Sequence, residues 1–126
     1  MDIAFDFGIT NTDVVVQDKK ELTFYTFSSK KVEMAFILEI LSEINLDIKR
    51  ISKIAVTGGK SSDLQDNINN IPIIKINEVE AVGNGAKEIY QIKDNKFMAV
   101  STGTGTACVA YMNDKFHHLG GISVGG

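Results

Sequence analysis

Residues 3–16 read Ile3-Ala4-Phe5-Asp6-Phe7-Gly8-Ile9-Thr10-Asn11-Thr12-Asp13-Val14-Val15-Val16, and this stretch decides the fold. An apolar run leads into a short segment of glycine and threonine, and a second apolar run follows it. The pattern predicts two strands, residues 2–7 and 13–18, joined by a tight turn. Backbone N–H groups and hydroxyls at such a turn, beside one carboxylate, can hold a phosphate next to a metal ion. We therefore expect a phosphate-binding β-hairpin.

Asp6 is the notable residue of the first strand. An acid within an apolar strand is costly unless it is paired or bound to a cation, so we favour a functional role for it. The next glycine-rich turn, Thr57-Gly58-Gly59, is either a plain turn or a second place where backbone approaches phosphate.

Composition places the chain among ordinary globular proteins. It has 126 residues, 44% hydrophobic and 23% charged, which is enough to bury a core and does not suggest disorder. No apolar run approaches the roughly 20 residues of a spanning helix, and the first residues do not resemble a signal peptide. A net charge of −3 argues against a nucleic-acid partner. The lone Cys108 excludes an internal disulfide, so we expect a cytoplasmic protein.

The order of the remaining elements predicts an α/β fold. We expect a third strand over residues 21–27, and then a helix capped by Ser28 or Ser29. Its apolar stripe is Val32, Phe36, Ile37, Ile40, Leu41 and Ile44. Further strands are expected over residues 51–57, 73–76, 97–102, 106–112 and 115–119, with a short helix or irregular segment over 61–68 and a helix from Glu78. Three hairpin-linked strands followed by alternating helices and strands favour a mixed sheet with flanking helices.

A second glycine-threonine turn lies at Gly103-Thr104-Gly105-Thr106, with Thr102 before it. It is not a Walker loop because no Gly-Lys-Ser/Thr follows, and it lacks the third glycine of a dinucleotide fingerprint. A plain hairpin turn remains possible. Its likeness to the first turn suggests two hairpins that contact a phosphate chain from two sides.

Glu78 follows a short apolar strand and precedes a helix, with Glu80 two positions later. One interpretation is a capping or helix-dipole role. The other is a general base that acts on a substrate hydroxyl from the carboxyl end of a strand.

In this order, the motifs resemble those of the type II pantothenate kinases, which belong to the acetate and sugar kinase/Hsp70/actin superfamily. The resemblance covers the whole chain. Asp6-Phe7-Gly8-Ile9-Thr10 resembles the first phosphate hairpin of that family, and Val56-Thr57-Gly58-Gly59 its Thr-Gly-Gly strand end. Glu78-Val79-Glu80-Ala81 with Gly85 resembles its Glu-x-Asp-Ala segment. Thr102–Thr106 resembles the second phosphate and substrate loop of the family. Residues 120–126 resemble its glycine-rich loop.

The resemblance implies a ribonuclease H-like mixed sheet and transfer of the ATP γ-phosphoryl group to pantothenate, the first step toward coenzyme A. Glu78 would be the catalytic base, and Asp6 would hold Mg²⁺. The nucleotide and substrate would be contacted by Asp6, Gly8, Thr10, Asn11, Thr102, Gly103, Thr104, Gly105, Thr106 and Gly121. Residues 1–126 would form the N-terminal lobe, with the second lobe absent and the chain alone inactive. No nucleic-acid or membrane partner is implied, and a homodimer is possible.

Three positions depart from the family pattern. Asp13 stands where the family has Lys, His118 where it has Arg, and Ile9 where it has a second glycine. Loss of two cations from an anion site leaves two alternatives open. One is a kinase for another small hydroxyl compound, and the other is a non-catalytic module that senses a nucleotide or metabolite.

Overall fold

The computed structural model describes residues 1–122, which form two compact units, Met1–Ile76 and a second from Asn77 onward. The first unit contains one sheet and one α-helix. Its elements are β1 (Asp2–Phe7), β2 (Asn11–Asp18), β3 (Glu21–Ser28), α1 (Met34–Glu43), β4 (Lys53–Thr57), β5 (Asn67–Ile68) and β6 (Ile71–Lys75). The sheet order is β3-β2-β1-β4-β6-β5. The pairs β1–β2 and β2–β3 are antiparallel and the pairs β1–β4 and β4–β6 are parallel. The predicted mixed sheet is confirmed.

The core of the first unit lies between α1 and one face of this sheet. Alternate residues of the inner strands point toward the helix, and the helical stripe contributes Phe36, Ile37, Ile40 and Leu41, all buried. Phe5 and Phe7 of β1 stack at 5.8 Å within this core. The opposite set of side chains on the same strands, which includes Asp6, therefore lies on the other face.

The predicted helix cap is wrong. Ser28 ends β3, and α1 begins at Met34 after Glu33, which makes no side-chain cap. The Ser29 hydroxyl is used elsewhere, because it donates to the Gly8 carbonyl at 2.7 Å. Between β4 and β5 the chain forms only a 3₁₀ turn, Ser61–Asp63, so the irregular alternative holds for this segment.

The second unit consists of one helix and a three-stranded antiparallel sheet. Its elements are α2 (Glu78–Ile89), β7 (Phe97–Thr102), β8 (Thr106–Met112) and β9 (Lys115–Ile122). Phe97, Tyr111 and Phe116, one from each strand, form an aromatic cluster with ring centroids 5.0–6.4 Å apart. Gly83 of α2 lies directly against the Phe116 ring. This cluster is the packing surface for the helix.

The expectations for a second lobe and for the glycine-rich segment at residues 120–126 remain predictions. The assignment of residues 1–126 to one lobe of a larger enzyme stays a prediction, and residues 123–126 of the glycine-rich segment lie outside the described residues. In the described part of the chain, no helix has the length and apolar character needed to cross a bilayer.

Candidate functional site

A polar row crosses the first sheet near the carboxyl ends of β1 and β4. Asp6 is the register partner of Asp13 on β2 and of Thr57 on β4, and Asp13 is the partner of Thr26 on β3. Because register partners in a sheet point to the same face, these four side chains lie side by side. Ligands of α/β proteins bind at the carboxyl ends of parallel strands, so the row is a candidate site.

The two carboxylates of this row oppose each other. Asp6 and Asp13 are both exposed, and like charges directly opposite on neighbouring strands are destabilising. The Thr26 hydroxyl donates to Asp13 Oδ1 at 2.6 Å and so stabilises one of the two charges. The burial cost expected for Asp6 does not arise, because its side chain lies on the face away from the core. Two carboxylates thus lie next to each other on the exposed face of the sheet, an arrangement that a bound cation would stabilise.

The tip of the first hairpin is held by a compact hydrogen-bond network. Gly8 N–H donates to the Asp6 carbonyl at 3.1 Å, and a Cβ on Gly8 would lie 2.5 Å from the Asn11 carbonyl oxygen, so the turn requires glycine here. Ser29 N–H donates to the Thr10 carbonyl at 2.9 Å. The Ser29 hydroxyl also lies 3.0 Å from Oγ1 of the fully buried Thr12. Sequence reasoning missed this role of Ser29.

The predicted residues of the hairpin lie at or next to its tip. Gly8 and Thr10 are exposed in the turn, and Asn11 is exposed at the start of β2. Ile9, where the family has glycine, projects into solvent with 81% of its surface exposed.

The backbone of the Thr57-Gly58-Gly59 turn lies directly beside Asp6, and we name it the Gly58 wall. Gly58 and Gly59 have positive φ angles of 73° and 48°. A Cβ on Gly58 would lie 2.7 Å from Asp6 Oδ1 and 2.7 Å from the Phe7 carbonyl oxygen. Only glycine therefore lets the Asp6 carboxylate lie so close to the end of β4.

The donor set of this row is compatible with Mg²⁺. Within residues 1–122, no three His, Cys, Asp or Glu side chains are grouped so that they could hold a metal by themselves. Mg²⁺ usually takes only one or two carboxylates and completes its octahedron with water and phosphate oxygens. The Asp6 carboxylate, with Asp13 opposite it, matches that requirement.

In the second unit, Glu78 is the first residue of α2 and is exposed. Asn77 is the residue that caps the helix, since its side chain accepts a hydrogen bond from Val79 N–H at 2.8 Å. Glu78 and Glu80 lie in the first turn, where the helix dipole favours an acid. A capping role for Glu78 is therefore wrong, and its role as a base stays a prediction.

The second glycine-threonine loop is the turn of the β7–β8 hairpin. Thr102 pairs with Thr106, and Gly103 N–H donates to the Gly105 carbonyl at 2.8 Å. A Cβ on Gly103 would meet no atom within 4 Å, so packing of the described residues does not require glycine there. Gly121 lies on β9 opposite Ala107. The expected contact of both hairpins with one phosphate chain stays a prediction.

Comparison with curated proteins gives relatives that are named type II pantothenate kinases. The protein from Bacillus thuringiensis subsp. konkukian is 33% identical over 129 residues, a match that includes 98% of this chain and 45% of that protein. The protein from Staphylococcus aureus is 26% identical over all of this chain and 45% of its own length. The chain thus spans about 45% of the length of the curated relatives it matches. No family model matches it.

Solved structures share the fold. A ROK family glucokinase from Streptomyces griseus, in complex with glucose and AMPPNP, superposes with a TM-score of 0.64 at 12% identity, over 97% of this chain and 47% of that one. The Lmo2764 protein from Listeria monocytogenes gives 0.65 at 17% identity, over 92% and 48%. An activator of 2-hydroxyisocaproyl-CoA dehydratase from Clostridium difficile, with bound ADPNP, gives 0.62 at 17%, over 92% and 44%. The expected mixed α/β fold and the resemblance to type II pantothenate kinases are both confirmed.

Proposed function

We propose that this chain is part of a pantothenate kinase, an enzyme that transfers the γ-phosphoryl group of ATP to the primary hydroxyl of pantothenate. The observation that carries the proposal is the arrangement around Asp6. Its carboxylate lies at the end of β1, between the glycine turn of the first hairpin and the Gly58 wall. Relatives with that name match 98% of the chain, which supports the substrate.

In this proposal the chain's own groups bind, orient and accept a proton. Asp6 would hold Mg²⁺, and bound magnesium would neutralise charge on the phosphates. Gly8, whose N–H is already bound to the Asp6 carbonyl, would let the backbone come close to the phosphates. The backbone N–H groups of residues 9–11, with the Thr10 hydroxyl, would contact phosphate oxygens. Residues Thr102–Thr106 and Gly121 would position nucleotide and substrate, and Glu78 would accept the hydroxyl proton. Positioning and charge neutralisation supply most of the catalysis in such reactions.

The same resemblance supports a cytoplasmic enzyme with a small-molecule substrate, in the form of a homodimer. The chain alone is expected to have no activity, because relatives are more than twice as long as the matched part.

A second candidate is a kinase for another small hydroxyl compound. The observation that favours it is Asp13, because its carboxylate faces Asp6 and accepts a hydrogen bond from Thr26. An anion there would weaken binding of an anionic substrate such as pantothenate and would disturb a neutral sugar less. A sensing module without catalysis is the third alternative.

A coupled kinase assay decides among these candidates. The longest natural protein that contains this chain is assayed with ATP, magnesium and either pantothenate or a panel of sugars. Turnover of pantothenate supports the proposal, and turnover of a sugar alone supports the second candidate. Measurable ATP binding without turnover of any substrate contradicts both.

The variant Glu78→Gln tests the base. It should lower kcat by about 10²–10⁴-fold with little change in nucleotide affinity, since proton transfer contributes about that much. Glu80→Gln is the matched control, because Glu80 lies in the same helical turn and has no assigned role. Equal activity of the two variants would contradict the role of Glu78.

A further inference from the structure

The Thr57 hydroxyl is buried and has no hydrogen-bond partner among the described residues. Thr12, which is fully buried, shows the ordinary arrangement, since its hydroxyl lies 3.0 Å from that of Ser29. A buried hydroxyl without a partner loses its bonds to water and gains nothing in return. Such groups are uncommon in native proteins and call for an explanation. One explanation is a catalytic or ligand-binding role.

The position of Thr57 suggests what the hydroxyl is for. Thr57 is the register partner of Asp6 on the neighbouring parallel strand and lies on the same face. The next residue, Gly58, is the one whose backbone lies against Asp6 Oδ1. Among the buried side-chain oxygens of residues 1–122, only that of Thr57 lacks a hydrogen-bond partner. Thr57 lies directly beside Asp6, the candidate metal-binding carboxylate.

The hydroxyl can reach the open side of the sheet by a small motion. Thr57 is only half-buried although its Oγ1 is buried, so the exposure of this residue comes from its other atoms. Rotation about χ1 to another staggered rotamer moves the oxygen to a different side of Cβ, where the hydroxyl can meet a ligand.

We propose that Thr57 is a nucleotide-binding residue of the Asp6 site, and that its hydroxyl donates a hydrogen bond to a phosphate oxygen of a magnesium-bound nucleotide. The inference rests on the proposed function and deepens it. Valine has nearly the same shape and would remove the cost of the unpaired hydroxyl. Threonine at this position therefore sacrifices stability for binding, which is a recurrent feature of functional sites.

The test compares Thr57→Val and Thr57→Ser in the longest natural protein that contains this chain, with Thr23→Val as the control. Thr23 is exposed on β3 and is paired with Val16, away from the polar row. Thermal unfolding without ligand and calorimetric titration with magnesium and AMPPNP are measured for each. Thr57→Val should melt about 4 °C higher and bind about tenfold more weakly, since it loses one hydrogen bond to a charged group. Thr57→Ser should bind within about threefold of the natural protein, and Thr23→Val should change neither quantity.

The outcomes separate this inference from the proposed function. If the natural protein binds the nucleotide and Thr57→Val binds equally well, the inference is overturned and the proposed function stands. If Thr57→Val melts lower and Thr57→Ser loses binding as well, Thr57 is only a packing residue and the inference is overturned. If the natural protein itself fails to bind magnesium and AMPPNP, the proposed function is refuted, and the role of Thr57 with it.

Discussion

The contact between Gly83 and Phe116 predicts the stability effect of Gly83→Ala, and Gly85→Ala in the same helix is its control. Gly83 and Gly85 both lie inside α2, where replacing glycine by alanine normally stabilises by about 0.5–1 kcal/mol. A Cβ on Gly85 would meet no atom within 4 Å, so Gly85→Ala should show that gain in full. A Cβ on Gly83 would clash with Cδ1 and Cε1 of the Phe116 ring, far inside van der Waals contact.

The Phe116 ring cannot move aside without cost, because it packs at 5.0 Å on Tyr111 and at 6.4 Å on Phe97. Overpacking of this kind costs about 1–3 kcal/mol. After subtraction of the helical gain, Gly83→Ala should destabilise by up to about 2.5 kcal/mol. Since the gain in helix propensity is common to both variants, the difference between them measures the overpacking alone.

Urea unfolding followed by circular dichroism gives both free energies of unfolding. We expect Gly85→Ala to raise the midpoint and Gly83→Ala to lower it, at an unchanged m-value. Equal stabilisation by the two substitutions would refute the close packing of α2 on Phe116.

Three further changes test other contacts. Ser29→Ala should cost about 1–3 kcal/mol in a thermal melt, because it leaves the Thr12 hydroxyl buried and unpaired, whereas Thr12→Val should cost only about 0.5–1.5 kcal/mol. The Lys75 ammonium, hydrogen-bonded at 2.9 Å, lowers the pKa of Asp66 below its usual 3.8. The stability from this pair is present above pH 3.8 and is lost as pH falls through the lower folded pKa, so Asp66→Asn should flatten the acid end of a melting-temperature profile. Asp13→Lys, which replaces an anion on the polar row by a cation, should stabilise by about 0.2–1 kcal/mol and tighten nucleotide binding in a calorimetric titration.

Much of the first unit could be predicted from the sequence because its signals are local. Alternation of apolar residues locates β1 and β2, and the stripe with Phe36 and Ile40 locates the face of α1. The glycine at position 8 indicates a turn that, in the structure, only glycine can make. Asn77 also carried a readable signal, since asparagine directly before a helix is a favoured cap.

The rest depends on contacts between residues far apart in the chain. Ser29 was expected to cap a helix, but its hydroxyl is bound to Gly8 and Thr12, an arrangement that no local pattern reveals. The adjacency of Asp6 and Thr57 follows from the parallel register of β1 and β4, which periodicity does not specify. Nor does any sequence signal show that the Thr57 hydroxyl is buried without a partner.

The pairing of β1 with β4 has a consequence for the order of folding. The β1–β2 hairpin closes a short loop. By contrast, β2, β3 and α1 lie between β1 and β4 in the chain, so the pairing of β1 with β4 closes a long loop. Long loops close late because their closure costs more entropy. The glycine turn at the hairpin tip can therefore form early, while the Gly58 wall beside Asp6 is completed near the end. We expect a ligand that contacts both to slow unfolding of the sheet more than it speeds refolding, because only the finished sheet presents the two sides together.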